Sequence, residues 1–122
     1  MRPTLLIVDD HAGFRSLARR LLTSGGFEVV GEASDGQAAV TAARRLRPDV
    51  VLLDIQLPDV DGFEVTARLA DGGAGPVVVL TSTRDRADYG ERVAQSGARG
   101  FLPKAELSGA ALQAFLGGER MG

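Results

Sequence analysis

The chain has no cysteine and only one histidine. Without cysteine there is no disulfide framework, no thiol nucleophile and no thiolate metal site. A single histidine excludes His-x-x-x-His metal sites and histidine clusters. No apolar run approaches the ~20 residues that cross a bilayer, and no basic segment leads into a secretory apolar stretch, so the expected location is cytoplasmic and no membrane partner is expected. The net charge is −2, which gives no electrostatic reason to expect direct nucleic-acid binding. Any chemistry must come from carboxylates, hydroxyls, a few lysines and arginines, or a metal held by oxygen.

What is present is ordinary for one globular domain. The 122 residues are 44% hydrophobic and 25% charged, enough for a single core. Short aliphatic runs alternate with helical patterns. Thr4–Val8, Phe27–Ala33, Asp49–Asp54, Val77–Leu80 and, more weakly, Arg99–Leu102 read as strands covered on both faces. Between them, Phe14, Leu17, Ala18, Leu21 and Leu22 fall on one helical face, which Gly25 and Gly26 end. Ser34 or Asp35 caps a second helix with apolar face Ala39, Val40, Ala43 and Leu46, stopped by Pro48. A third opens at Asp61-Gly62, runs through Phe63, Ala67 and Leu69, and is closed by Gly72, Gly73, Gly75 and Pro76. A fourth is expected from about Asp85 to Gln95, and a fifth from near Glu106 through Leu107, Ala111, Leu112, Phe115 and Leu116. Five βα units predict an α/β fold with a five-stranded, doubly wound parallel sheet. They consume residues 1–122 as one domain, with a frayed tail over 117–122.

In such a sheet, ligands bind beyond the carboxyl ends of the strands. Asp9 and Asp10 follow the first strand, Asp54 ends the third, and Thr81 and Ser82 end the fourth. If the first and third strands are neighbours, three carboxylates converge. Like charges a few Å apart repel by several kcal/mol at an effective dielectric of ~20, so a cation is required. A hard divalent ion with oxygen ligands suits the site, and Lys104, after the fifth strand, is the obvious side-chain cation. Taken singly, each residue has a plain structural role: an aspartate past a strand caps a helix, a Thr-Ser pair makes a turn, a lysine is solvated. Their joint position at the ends of four strands favours a site.

The segments IVDDH (Ile7–His11), LLDIQLPDVDG with its Asp-x-x-x-Pro-x-x-x-Gly spacing (Asp54–Gly62), LTST and SGARGFLPK (Ser96–Lys104) resemble, in that order, the receiver domain of two-component response regulators along essentially the whole chain. IVDDH and SDGQAAV look most like receivers fused to helix-turn-helix output domains. The resemblance implies a flavodoxin-like fold with strand order 2-1-3-4-5. It implies Asp54 as phosphoacceptor from the phosphohistidine of a sensor histidine kinase. Asp9, Asp10, Asp54 and the backbone carbonyl of Gln56 would hold Mg²⁺, with Lys104 paired to the phosphoryl group. A hydroxyl and the aromatic Phe101 would form the switch. Counting back from Lys104 puts that hydroxyl at Ser82, while counting along the strand from Pro76 leaves Thr81 as the alternative. With Ser82, Arg84 and Gln56 occupy the two positions that tune loss of the phosphate by water, and a long Arg and a Gln there predict slow self-dephosphorylation. The usual proline after the lysine is replaced by Ala105, and Pro103 precedes it. His11 is read as a cap or surface residue.

The implied function is a phosphorylation-dependent switch that catalyses only its own phosphorylation and dephosphorylation. It would act through the surface of the last two βα units, Tyr89–Ala98, Phe101 and Leu107–Leu116, on an output domain, a target protein or a second copy. A phosphate-independent adaptor is the main alternative. A Mg²⁺ phosphatase working through an aspartyl phosphate fits less well, because such enzymes need an aspartate two residues past the nucleophile, where Gln56 stands. After Leu116 the sequence shows no helix-turn-helix or other output segment, so the expectation is either a protein that acts alone through contacts or one domain of a longer chain. Taking the three site aspartates from the net −2 leaves +1, and taking Lys104 as well leaves 0, so the modest acidity lies wholly in one pocket.

Overall fold

The computed structural model describes residues 2–70 and 75–117. Five strands, β1 (Thr4–Val8), β2 (Glu28–Ala33), β3 (Val50–Asp54), β4 (Val77–Thr81) and β5 (Gly100–Phe101), form one sheet. Its order is β2-β1-β3-β4-β5 and every pairing is parallel. The helices are α1 (Ala12–Ser24), α2 (Gly36–Leu46), α3 (Gly62–Ala70), α4 (Arg92–Gln95) and α5 (Gly109–Gly117). This is the flavodoxin-like arrangement that the sequence predicts. No helix among the described residues is long and apolar enough to cross a membrane.

The aliphatic runs explain the layering. Successive strand residues point to opposite faces, so an unbroken run feeds two cores. Leu6, Val8, Val51, Leu53, Val78 and Leu80 pack with Ala39, Val40, Val65 and Val93 on one face. Leu5, Ile7, Val50, Leu52 and Val79 pack with Ala18, Leu22, Phe27, Leu102 and Leu112 on the other. β3 is buried at all five positions, including its terminal aspartate. Because β1 and β3 are neighbours in register, Val8 beside Leu53, the residues that follow them emerge side by side.

Several local expectations are revised. Leu17 and Leu21 are 43% and 38% exposed. The sheet covers an arc of α1 through Ala18 and Leu22, narrower than the five-residue apolar stripe. Ala67 faces solvent, while Val65 and Thr66 are buried in its stead. Of the two candidate caps of α2, Asp35 does the capping, accepting from the Ala38 N–H at 2.7 Å. The expected fourth helix is broken: Arg86–Tyr89 is a 3₁₀ turn, and α4 starts only at Arg92. Gly90 lies between them at φ 60°, ψ −134°, a backbone conformation essentially reserved to glycine. Lys104–Glu106 is likewise a 3₁₀ turn, and α5 begins at Gly109, where the Ser108 hydroxyl accepts from the Ala111 N–H. Gly72, Gly73 and the tail beyond residue 117 lie outside the described residues.

Candidate functional site

The ends of β1, β3 and β4 build one acidic pocket. Asp9 and Asp54 are buried, and Asp10 lies beside them at the surface. Ligand atoms of Asp9, Asp10, His11 and Asp54 all lie within 4.8 Å of one another. Lys104 closes the cluster from beyond β5. Its Nζ is 2.6 Å from Asp9 Oδ2 and 3.2 Å from Asp54 Oδ2, and its main-chain N–H is anchored on the Ser82 carbonyl. The ammonium also stands 4.4 Å from the centroid of the Phe14 ring, a cation–π contact that aims it from behind.

The two buried carboxylates are held by nearby backbone. Asp9 Oδ1 accepts from the His11 N–H at 2.8 Å, and Asp54 Oδ1 from the Gln56 N–H at 3.0 Å. Arg15 donates to the Asp9 carbonyl and, with Arg19, grips Glu32 on β2, so the β1–α1 turn is tied at both ends. The loop after Asp54 is clamped as well. Asp59 accepts from the Gly36, Gln37 and Val60 N–H groups, fastening it to the N-terminus of α2. Gly62 approaches the acceptor so closely that a Cβ would stand 2.7 Å from the Asp54 carbonyl oxygen. That contact explains the glycine in the Asp-x-x-x-Pro-x-x-x-Gly spacing.

The electrostatics follow from burial. Burial pushes the Asp54 carboxyl up to about 6, with Asp9 adding to the rise and the Gln56 N–H and Lys104 opposing it. Burial also pushes Asp9 upward, but the adjoining Lys104 ammonium and the hydrogen bond from the His11 N–H outweigh it and hold Asp9 below its usual value. Burial pulls Lys104 down, and the two aspartates more than reverse this. One negative charge on the pair is therefore matched by Lys104, and the other calls for a further cation. Asp9 Oδ2 is buried and receives no hydrogen bond of good geometry; the Lys104 ammonium is its ionic neighbour. Three oxygen-donating side chains around such an atom fit a hard divalent ion.

The two candidate hydroxyls differ in their surroundings. Thr81 lies beside Asp54 in the β3–β4 register, and its hydroxyl donates to the Leu102 carbonyl at 2.6 Å in a fully buried site. Ser82 is buried at the mouth; its Oγ accepts from the Arg84 N–H and shares a 2.7 Å hydrogen bond with the Tyr89 hydroxyl. Phe101, half-buried on β5, has its ring 6.0 Å from that of Tyr89. Gln56 and Arg84 are exposed. His11 occupies the N-cap position of α1 without capping it, and its Nδ1 lies 3.1 Å from Asp10 Oδ1. The sequence places Phe14 only on a helix face and Tyr89 only on the output surface, and it gives no role to Arg15 or Asp59, whose contacts depend on tertiary neighbours.

The model of the response regulator receiver domain matches residues 5–115. The transcriptional regulatory protein PdtaR of Mycobacterium tuberculosis is 39% identical over 100 residues, covering 82% of this chain and 48% of that protein. Protein-glutamate methylesterase/protein-glutamine glutaminase 6 of Anaeromyxobacter dehalogenans is 43% identical over 108 residues, covering 88% of this chain and 31% of that protein. A two-component response regulator of the LuxR family from Aurantimonas superimposes with a TM-score of 0.85 at 30% identity, covering 97% of this chain and 87% of that one. The chain thus spans about half the length of the transcriptional regulator and a third of the methylesterase, matching in each case less than two thirds of the relative. Pocket, fold and relatives agree: the chain belongs to the response regulator receiver domains, the signal-receiving domains of two-component systems.

Proposed function

We propose that this chain is a cytoplasmic, phosphorylation-dependent signalling switch in which Asp54 takes a phosphoryl group from the phosphohistidine of a sensor histidine kinase. The observation that carries this reading is a buried Asp54 carboxylate 3.2 Å from the Lys104 ammonium with two further aspartates beside it. An Asp54 oxygen attacks phosphorus, the bond from phosphorus to the donor imidazole nitrogen breaks, and the electron pair stays on that nitrogen. Asp9, Asp10, Asp54 and the Gln56 backbone carbonyl would hold Mg²⁺, which when bound neutralises charge on the phosphoryl oxygens. Lys104 pairs with one such oxygen as its contact with Asp54 gives way. Ser82 serves as the switch hydroxyl, with Thr81 the competing assignment, and Phe101 as the aromatic that follows it. Gln56 and Arg84, both exposed, would shield or orient the hydrolytic water, which would make the aspartyl phosphate long-lived.

The consequence is a changed surface on α4, β5 and α5 for an output domain, a target protein or a second copy. The relatives named as transcriptional regulators support an output in gene control, with the DNA contact made outside this domain. The chain turns over no metabolite in this reading. The test is incubation with an acyl phosphate and Mg²⁺, read by intact mass. One added phosphoryl group, lost in Asp54→Ala, is the expected result. No labelling would instead favour a phosphate-independent adaptor. An aspartyl-phosphate half-life of seconds would reject the shielding roles of Gln56 and Arg84.

A further inference from the structure

We propose that Tyr89 is the positioning residue that holds the Ser82 hydroxyl in the unphosphorylated protein and carries its release to the α3–α4–β5 surface. The inference rests on the reading of Asp54 as phosphoacceptor and extends it to a residue outside the acidic pocket.

The Tyr89 hydroxyl and Ser82 Oγ are 2.7 Å apart, and Ser82 Oγ already accepts from the Arg84 N–H at 3.0 Å. A serine hydroxyl has one proton to give. A phosphoryl oxygen is a pure acceptor carrying charge, so a Ser82 hydroxyl that donates to it cannot also donate to Tyr89. The shared bond then survives only with Tyr89 as its donor, and is otherwise released. Thr81 offers no such choice, because its hydroxyl is spent on the Leu102 carbonyl in the sheet.

The Tyr89 ring is placed to transmit that change. It meets Phe63 of α3 edge-on, with centroids 5.9 Å apart, and Phe101 of β5 at a tilt, 6.0 Å apart. Arg92 of α4 stacks 4.3 Å from the Phe63 centroid and pairs with Asp61, whose other oxygen accepts from the Glu64 N–H in the first turn of α3. Tyr89 is thus the joint between Ser82, β5 and the ends of two helices. Gly90 follows at φ 60°, and a Cβ built there would meet nothing within 4 Å, so the chain turns directly after the ring with no side chain packed beside it.

The chain supplies its own probe, since Tyr89 is the only tyrosine and there is no tryptophan. The experiment loads the whole chain with Mg²⁺ and beryllofluoride, a phosphoryl mimic. It follows tyrosine emission in the wild type and Ser82→Ala, and measures mimic affinity by calorimetry in the wild type and Tyr89→Phe. Acyl-phosphate labelling of Asp54 is read separately by mass. Tyr89→Phe keeps the ring contacts and removes only the hydroxyl that competes for Ser82. The expected results are an emission change on loading that Ser82→Ala lacks, and about fivefold tighter binding in Tyr89→Phe, the effect of releasing one hydrogen bond. A merely structural role predicts equal or weaker binding. If Asp54 labels but the emission is unmoved, or Tyr89→Phe binds equally or more weakly, the role of Tyr89 is overturned and the phosphoacceptor reading stands. If Asp54 does not label, both fall.

Discussion

At the scale of single residues, the pocket is a compromise between burial and charge. Asp54 is 3% exposed, and its carboxyl is raised to about 6 chiefly by burial. Because the folded value lies above that of the unfolded chain, ionised Asp54 costs stability above about pH 6, and the cost fades as pH falls towards about 4. In metal-free buffer at pH 7, Asp54→Asn is therefore expected to be more stable by on the order of 1–3 kcal/mol, with the gain vanishing near pH 4. Denaturant unfolding across that range checks the sign. The Asp54 carboxyl carbon should titrate near 6 by NMR without metal and well below that with Mg²⁺, because a bound cation favours the ionised form. Asp9, Asp10, Asp54 and Lys104 were legible in the sequence because polar residues directly after apolar runs stand out. Phe14, Arg15 and Asp59 were not, since a helix-face aromatic, a surface arginine and a turn aspartate look alike wherever they fold. Only the tertiary placement of Phe14 behind Lys104 and of Asp59 on the α2 amides gives them a role.

At the scale of elements, two glycines decide where segments end. A methyl at Gly62 would stand 2.7 Å from the Asp54 carbonyl oxygen and 2.8 Å from the Ile55 Cα, both backbone atoms that cannot turn aside. Gly62→Ala is expected to cost about 2 kcal/mol, measured by urea unfolding, and to slow Asp54 labelling as α3 is pushed off the acceptor. Gly90→Ala separates conformation from packing, since its Cβ would enter open space. The expected cost there is about 1–2 kcal/mol from backbone strain alone, with labelling of Asp54 retained. The strands and the order of βα units were readable because continuous aliphatic runs bounded by turn residues leave little choice. The fourth helix was misread: nothing in Asp85–Gln95 distinguishes a glycine that a helix tolerates from one that breaks it. The start of α5 slipped for a related reason, as Glu106 and Leu107 suit a helix but Ser108 provides the cap.

At the scale of the whole molecule, Lys104 gives the fold a counter-charge of its own. Removing it in Lys104→Ala leaves two buried carboxylates facing each other, and the expected loss is about 3 kcal/mol at neutral pH. Saturating Mg²⁺ should recover most of this, since a ligand at about 100 times its dissociation constant adds about 2.7 kcal/mol. Thermal unfolding of the variant with and without the ion tests both statements. The wild type, with one of the two charges matched by Lys104, should stay folded in a chelator and lose only the capacity to be labelled. The break at Gly90 has another effect at this scale. A cell that runs many switches of one fold must keep their conversations apart, and shape is one means of doing so. A partner moulded to an unbroken helical rod between β4 and β5 would meet a 3₁₀ turn, a glycine break and a short stub of helix here. Such an interruption would turn away a partner of that shape, independently of any phosphate.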